Sequence, residues 1–126
     1  MIIKESQENY LETILVLEKK NGYVRSIDIA NELGFSKPSV SVAMKNFKNE
    51  GYIETDDSGR ITLTQKGRKI AENVYDRHEI IAKVLMLLGV TPETAYEDSC
   101  RIEHDISEET YEKLKEHVEN YEKQKR

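Results

Sequence analysis

Cysteine occurs once in the 126 residues, at Cys100, so no intrachain disulfide can staple the fold and the logic of an oxidising compartment does not apply. Proline occurs twice and glycine six times, and tryptophan is absent; a chain so poor in helix breakers and rich in Glu, Lys, Leu and Ile is expected to be mainly helical. No apolar run approaches the roughly 18 residues that a bilayer-spanning helix needs, and the N-terminus has neither a basic start, an apolar stretch nor a small-residue cleavage site. A cytoplasmic protein with no membrane partner is expected. The chain is also short for an enzyme with a large cleft: this length fits one compact domain or two small units sharing a long helix.

An excess of positive charge is missing as well. The formal net charge is −5, which on its face argues against a nucleic-acid partner. Divided along the chain, the balance is net +1 for residues 1–70, net −6 for 71–126, and net +3 for 36–69. The single basic stretch therefore lies between acidic ones, as expected if one face meets phosphate and another meets cations or a second subunit.

What is present is helical periodicity. Residues 5–20 place Tyr10, Leu11, Ile14, Leu15, Val16 and Leu17 on overlapping i, i+3 and i+4 rows before the stop Asn21-Gly22. A short helix is expected next, with Ser26 as its N-cap and Ile27, Ala30 and Leu33 facing inward, ended by Gly34. A third begins after Ser36, with Pro38 in its first turn and Val40, Ala43, Met44 and Phe47 as its buried stripe. Strands are expected at Tyr52–Thr55 and Arg60–Leu63 around the turn Asp56-Asp57-Ser58-Gly59. From the N-cap Thr64 a long helix runs through Ile70, Val74, Ile81, Val84, Leu85 and Leu88 to Gly89; another starts at Thr91-Pro92 and reaches about Asp105, and a last one is capped by Ser107 and runs through Leu114 and Val118.

Three helices followed by a hairpin is the order of a winged helix-turn-helix. The expected architecture is mainly α, with an N-terminal winged helix-turn-helix DNA-binding domain at 1–70 joined by the long helix to a helical dimerisation and metal-binding domain at 71–126. In such a motif the second helix of the pair lies in the major groove. Here its outward positions are Ser36, Lys37, Pro38, Ser39, Ser41, Val42 and Lys45, with Arg60 near the hairpin tip and Lys66 and Arg68 at the start of the next helix. Hydroxyls, amines and one apolar group suit phosphate hydrogen bonds and thymine-methyl contacts better than bidentate reading of guanine. Each residue taken alone is equally well an ordinary solvated helix face, so the order of elements carries the expectation.

A second constellation is Cys100-Arg101-Ile102-Glu103-His104, where a thiol, a carboxylate and an imidazole at i, i+3 and i+4 share one helix face. That donor set suits a divalent transition metal, not Ca(II) or Mg(II), which take all-oxygen shells. His78 is the obvious distal imidazole, and Asn9 and Glu12 can supply oxygens from the first helix. The plain alternatives are a buried filler cysteine and a Glu-His cap or ion pair.

With these residues in view, the chain resembles the diphtheria toxin repressor and manganese transport regulator family of metal-dependent repressors. The resemblance rests on Glu8-Asn9-Tyr10-Leu11-Glu12-Thr13-Ile14, Ser36-Lys37-Pro38-Ser39-Val40-Ser41, Leu63-Thr64-Gln65-Lys66-Gly67, Arg77-His78, and Cys100-Arg101-Ile102-Glu103-His104. It implies metal ligands at Asn9, Glu12, His78, Cys100, Glu103 and His104, a homodimer burying apolar faces between about Ile81 and Ile106, an operator in double-stranded DNA, and control of metal-uptake genes. It implies Fe(II) or Mn(II) as the activating metal, with Fe(II) slightly favoured. Cys100 stands where manganese-type members usually carry glutamate, and Asn9 where the family generally has Asp or Met. Two ancillary positions of the iron-type members fall on Ala82 and Tyr96, neither a good ligand.

The expected mechanism is a cation that ties the first helix to the later ones and holds two reading heads at the spacing of two half-sites. Neither catalysis nor a small organic substrate is expected. The alternatives are a winged-helix transcription factor that works without metal, a winged helix used only for protein contacts, and a small metal-dependent hydrolase built on Glu103, His104 and His78.

Overall fold

A computed structural model describes residues 5–125, Glu5 in its backbone only. The order is α1 (Glu5–Asn21), α2 (Ser26–Leu33), α3 (Lys37–Asn49), β1 (Ile53–Thr55), β2 (Ile61–Leu63), α4 (Gln65–Leu87), α5 (Pro92–Ile102) and α6 (Glu108–Gln124). The chain divides into two compact units between Asn73 and Val74, within α4. No helix among the described residues is long and apolar enough to cross a membrane.

In the first unit α1 packs on α2 and β2, α2 on α3, and α3 on β1. The core is the apolar stripe of each element: Leu11, Ile14 and Leu15 from α1, Ile29 from α2, Val40, Met44 and Phe47 from α3, and Ile53, Ile61 and Leu63 from the hairpin. The hairpin is antiparallel with Ile53 opposite Leu63 and Thr55 opposite Ile61, and its period-2 alternation turns Glu54 and Thr62 outward. Tyr10, Phe47 and Tyr52 continue this core as edge-on ring contacts.

The start of α4 is fastened to the base of the wing. The Thr64 hydroxyl donates to the Gly51 carbonyl (2.6 Å) and accepts from Gly67 N (3.2 Å), which makes it the helix cap the sequence led one to expect. Thr64 N donates to Tyr52 O (3.0 Å). Gly67 sits so close to this carbonyl that a Cβ would collide with it.

Several local expectations need correction. Ser26 is the first residue of α2 and not its cap; Arg25 holds the cap position in extended conformation, and its N–H donates to the Asp28 carboxylate (2.9 Å). Starting there, α2 turns Ile29 and Ala30 inward and leaves Ile27 exposed and Leu33 half-buried. Val16 is exposed and Ala43 half-buried. Each strand is one residue shorter than expected, because Tyr52 N donates to Phe47 O and the Arg60 carbonyl accepts from Asp56 N.

The second unit has a small core: Val74, Ile81 and Ala82 of α4, Ala95 of α5, and Tyr111 and Val118 of α6. Two polar residues, Ser99 and Glu103, are buried with them. Ser107 caps α6 as expected, its hydroxyl accepting from Thr110 N (3.1 Å). Helix α5 ends at Ile102, short of the expected Asp105. Asp105 N bonds to Ile102 O, a tightened turn in place of the helical i−4 partner.

Candidate metal centre and DNA-reading face

In the first unit, α3 separates an inner row from an outer one. Val40, Met44 and Phe47 are buried, while Ser36, Lys37, Pro38, Ser39, Ser41, Val42 and Lys45 are all exposed. The helix begins in the required way: Ser36 is extended at the N-cap and its hydroxyl accepts from Ser39 N (3.3 Å), and proline occupies the first turn. Val42 is 61% exposed, a large apolar side chain left in solvent on the face opposite the core. Such a face carries two amines, hydroxyls and one apolar contact, the groups needed for phosphate and thymine-methyl recognition.

Near the wing, Arg60 lies over the Tyr23 ring (5.2 Å) and Arg25 over the same ring (5.8 Å), so one aromatic plate orients two guanidinium groups. Arg25 was not singled out by sequence reasoning; only the fold brings it beside Arg60. Lys66 and Arg68 also make contacts within the protein. Lys66 Nζ donates to the Glu50 carbonyl (3.0 Å) and lies over Tyr52, and Arg68 Nη2 donates to both oxygens of the Glu18 carboxylate (2.8 and 3.1 Å). The wing tip is ordered by Asp56, whose carboxylate accepts from Ser58 Oγ, Ser58 N and Arg60 N. The Ser58 hydroxyl above all, then the Arg60 amide, hold this carboxyl below the usual range.

In the second unit, α4 and the end of α5 bring His78, Cys100, Glu103 and His104 together. His78 Nδ1 lies 2.9 Å from Glu103 Oε2, 2.8 Å from Ser99 Oγ and 3.7 Å from Cys100 Sγ. His104 Nε2 is 3.3 Å from the other carboxylate oxygen, Glu103 Oε1. Cys100 is in the last turn of α5 and Glu103, its C-cap, keeps helical geometry and the i−4 bond to Ser99 O, so these two side chains share the face toward His78, while His104 lies in the turn beyond the helix. The filler reading of Cys100 fails, because its side chain is exposed. Asn9 and Glu12 are half-buried, one turn apart on α1 in the first unit.

His78 Nδ1 lies within hydrogen-bonding distance of both Ser99 Oγ and Glu103 Oε2, and the Ser99 hydroxyl also reaches Tyr96 O (2.9 Å). Ser99, fully buried, is a functional neighbour that sequence reasoning missed, since nothing in its spacing marks it. Tyr96 stacks obliquely on His78 (5.5 Å) and its hydroxyl donates to Glu79 (3.3 Å), whose charge is the main reason that its pKa is raised. It covers the imidazole, and Ala82 is fully buried.

Glu103 is the decisive residue. Its side chain is 1% exposed, and Oε1 accepts no hydrogen bond. A buried carboxylate oxygen without a donor costs about 1–3 kcal/mol or more. A bound cation would relieve that cost, and the neighbours are an imidazole nitrogen, a second imidazole and a thiol. The donor set fits a divalent transition metal.

The iron dependent repressor N-terminal DNA-binding domain matches residues 3–59, and the iron dependent repressor metal-binding and dimerisation domain matches residues 64–126. The chain belongs to the iron-dependent repressor family. Transcriptional regulator MntR of Escherichia coli O6:H1 is 37% identical over 107 residues, covering 85% of this chain and 69% of that protein. The HTH-type transcriptional regulator MntR of Geobacillus kaustophilus is 36% identical over 102 residues, 81% of this chain and 72% of its own. Among solved structures, the manganese regulator SloR superposes with a TM-score of 0.76 at 28% identity, over 90% of this chain and 53% of its own, so this chain spans about half of that one. The resemblance read from the sequence is thereby borne out, as is the mainly helical winged-helix architecture. The protein is a metal-dependent, DNA-binding transcriptional regulator of this family.

Proposed function

We propose that this iron-dependent repressor family member is a homodimeric, cytoplasmic repressor of metal-uptake genes, activated by Fe(II) or Mn(II) and without enzymatic activity. The observation that carries the metal part is the buried, unsatisfied Glu103 Oε1 among His78, His104 and Cys100. In this reading the ligands are His78, Cys100, Glu103 and His104, with Asn9 and Glu12 as further oxygen donors from α1. Residues 1–70 read DNA through Ser36, Lys37, Pro38, Ser39, Ser41, Val42, Lys45 and Arg60, and residues 71–126 dimerise and bind metal.

When bound, the cation supplies positive charge that donors from separate helices share. The protein's own part is to prepare those donors. His78 would ligate through a ring nitrogen that carries no proton, so metal and proton would compete for the nitrogen that faces Glu103 and Cys100. Glu103 already presents a desolvated oxygen. Leu87 and Leu88, exposed at the end of α4, are part of the apolar face that a second copy would cover. Metal and operator must strengthen each other's binding by one common factor. The Cys100 thiolate raises affinity for later metals in the Irving–Williams order, so Co(II), Ni(II) or Zn(II) are expected to bind more tightly in vitro than the metal that activates the protein in the cell.

The test is anaerobic calorimetric titration with Fe(II) and Mn(II) of the wild type and of Glu103→Ala. Saturable binding to the wild type, lost in the variant, is expected. Equal binding by both would refute this ligand set, and no binding by the wild type would favour a metal-independent winged-helix regulator.

A further inference from the structure

The residue before His78 grips the same segment that His78 does, by a different part. Arg77 Nη1 donates to the Glu103 carbonyl (3.3 Å) and to the Ile106 carbonyl (3.1 Å), and Nη2 donates to the Glu108 carboxylate (2.6 Å). Its guanidinium carbon lies 5.2 Å from the Tyr111 ring centre. The side chain is only 15% exposed, and Nε is buried with no partner. Burying a guanidinium with one nitrogen unsatisfied is costly, so the remaining interactions must be worth keeping.

We propose that Arg77 is a positioning residue for the metal centre: it clamps the main chain of the Glu103–Ile106 turn onto α4, so that Glu103 and His104 stand ready before any cation arrives. The inference rests on the metal-binding reading above. Glu103 is held at two ends, its carboxylate by His78 and its carbonyl by Arg77. The first hold must be given up when imidazole and carboxylate become ligands. The second need not be, because it uses a carbonyl and a neighbouring side chain. What keeps the turn in place during loading is therefore the guanidinium. The helix end explains the need: past Glu103 the chain leaves the α-helical register, and the carbonyls of Glu103 and Ile106 receive from Arg77 the hydrogen bonds that a continuing helix would have supplied. Lysine cannot substitute fully, since one ammonium lacks the planar fork that reaches two carbonyls and a carboxylate together.

The test uses the full chain with Arg77→Met, Arg77→Lys and Glu108→Gln. Calorimetric titration with Mn(II) reads metal affinity, and amide hydrogen exchange on the metal-free proteins reads the turn. Loss of a residue that orients metal ligands typically costs roughly 10- to 100-fold in affinity. Arg77→Met is expected to fall in that range, with faster exchange confined to residues 103–107; Arg77→Lys is expected to recover part of the loss. Glu108→Gln, which changes an exposed carboxylate and leaves the fold intact, is expected to weaken Mn(II) binding by a smaller factor. Unchanged affinity in Arg77→Met alongside a wild type that binds Mn(II) would overturn the role of Arg77 while leaving the metal centre standing. If Arg77→Met does not fold, unchanged affinity and exchange in Glu108→Gln and Arg77→Lys would overturn it equally.

Discussion

Replacing Gly67 by alanine sets two effects of opposite sign against each other. In a helix interior alanine is favoured over glycine by about 1 kcal/mol, so propensity alone predicts a more stable protein. The added Cβ, however, collides with the Tyr52 carbonyl, which is backbone and cannot swing aside as a side chain would. Moving the wing base away strains or breaks three hydrogen bonds at that junction: Thr64 N to Tyr52 O, the Thr64 hydroxyl to Gly51 O, and Lys66 Nζ to Glu50 O. At about 1 kcal/mol for each neutral bond and about 1.5–3 for the charged one, the loss is roughly 4 kcal/mol. Net of the propensity gain, Gly67→Ala is expected to destabilise by roughly 3 kcal/mol. Urea unfolding followed by circular dichroism measures it. A variant as stable as the wild type, or more so, would show that α4 and the wing base are not in the close approach described.

Two further outcomes are expected. Lys37→Ala and Lys45→Ala should each weaken operator binding and flatten the dependence of log K on log salt by about 0.9 for each phosphate that the lysine had neutralised, read by fluorescence anisotropy across a salt series; unchanged slopes would remove α3 from the interface. Asp56, held by Ser58 and the Arg60 amide, has a folded pKa below its unfolded value, so its contribution to hairpin order is complete above the ordinary aspartate value of about 3.9 and is lost as pH falls through the lower folded value. An NMR titration of its carboxyl should show a midpoint under that of a free aspartate, and a midpoint at or above it would contradict the hydrogen-bond assignment.

The parts of the fold that could be read from sequence are those decided within one turn of chain. Ser36 and Ser107 cap their helices through a hydroxyl that accepts from the N–H three residues on, and Thr64 does the same for Gly67. Ser26 misled because a serine before an apolar residue carries the same local signature; the carboxylate of Asp28 three residues beyond Arg25 decided the start of α2. The end of α5 was not legible, since it depends on bonds from Arg77, 26 and 29 residues away, to Glu103 and Ile106. The same holds around the candidate metal donors. Cys100, Glu103 and His104 are visible as a spacing, whereas Ser99 and Arg77 acquire their roles only when α4 lies against the end of α5. Lys66 and Arg68 look like DNA-facing cations in a basic stretch, and it took the positions of Tyr52 and Glu18 to show what they hold.

In the proposed mechanism, metal occupancy of one cluster sets affinity for DNA. The most direct measurement is operator affinity of the wild type and of the Glu103→Ala, His104→Ala double variant, each with Mn(II) or Fe(II) and with a chelator. Metal is expected to tighten wild-type binding by roughly 5- to 150-fold, the usual range of coupling between two sites, and the double variant to bind weakly whether metal is present or not. A double variant that binds the operator as tightly as the metal-loaded wild type, indifferent to added metal, would contradict it.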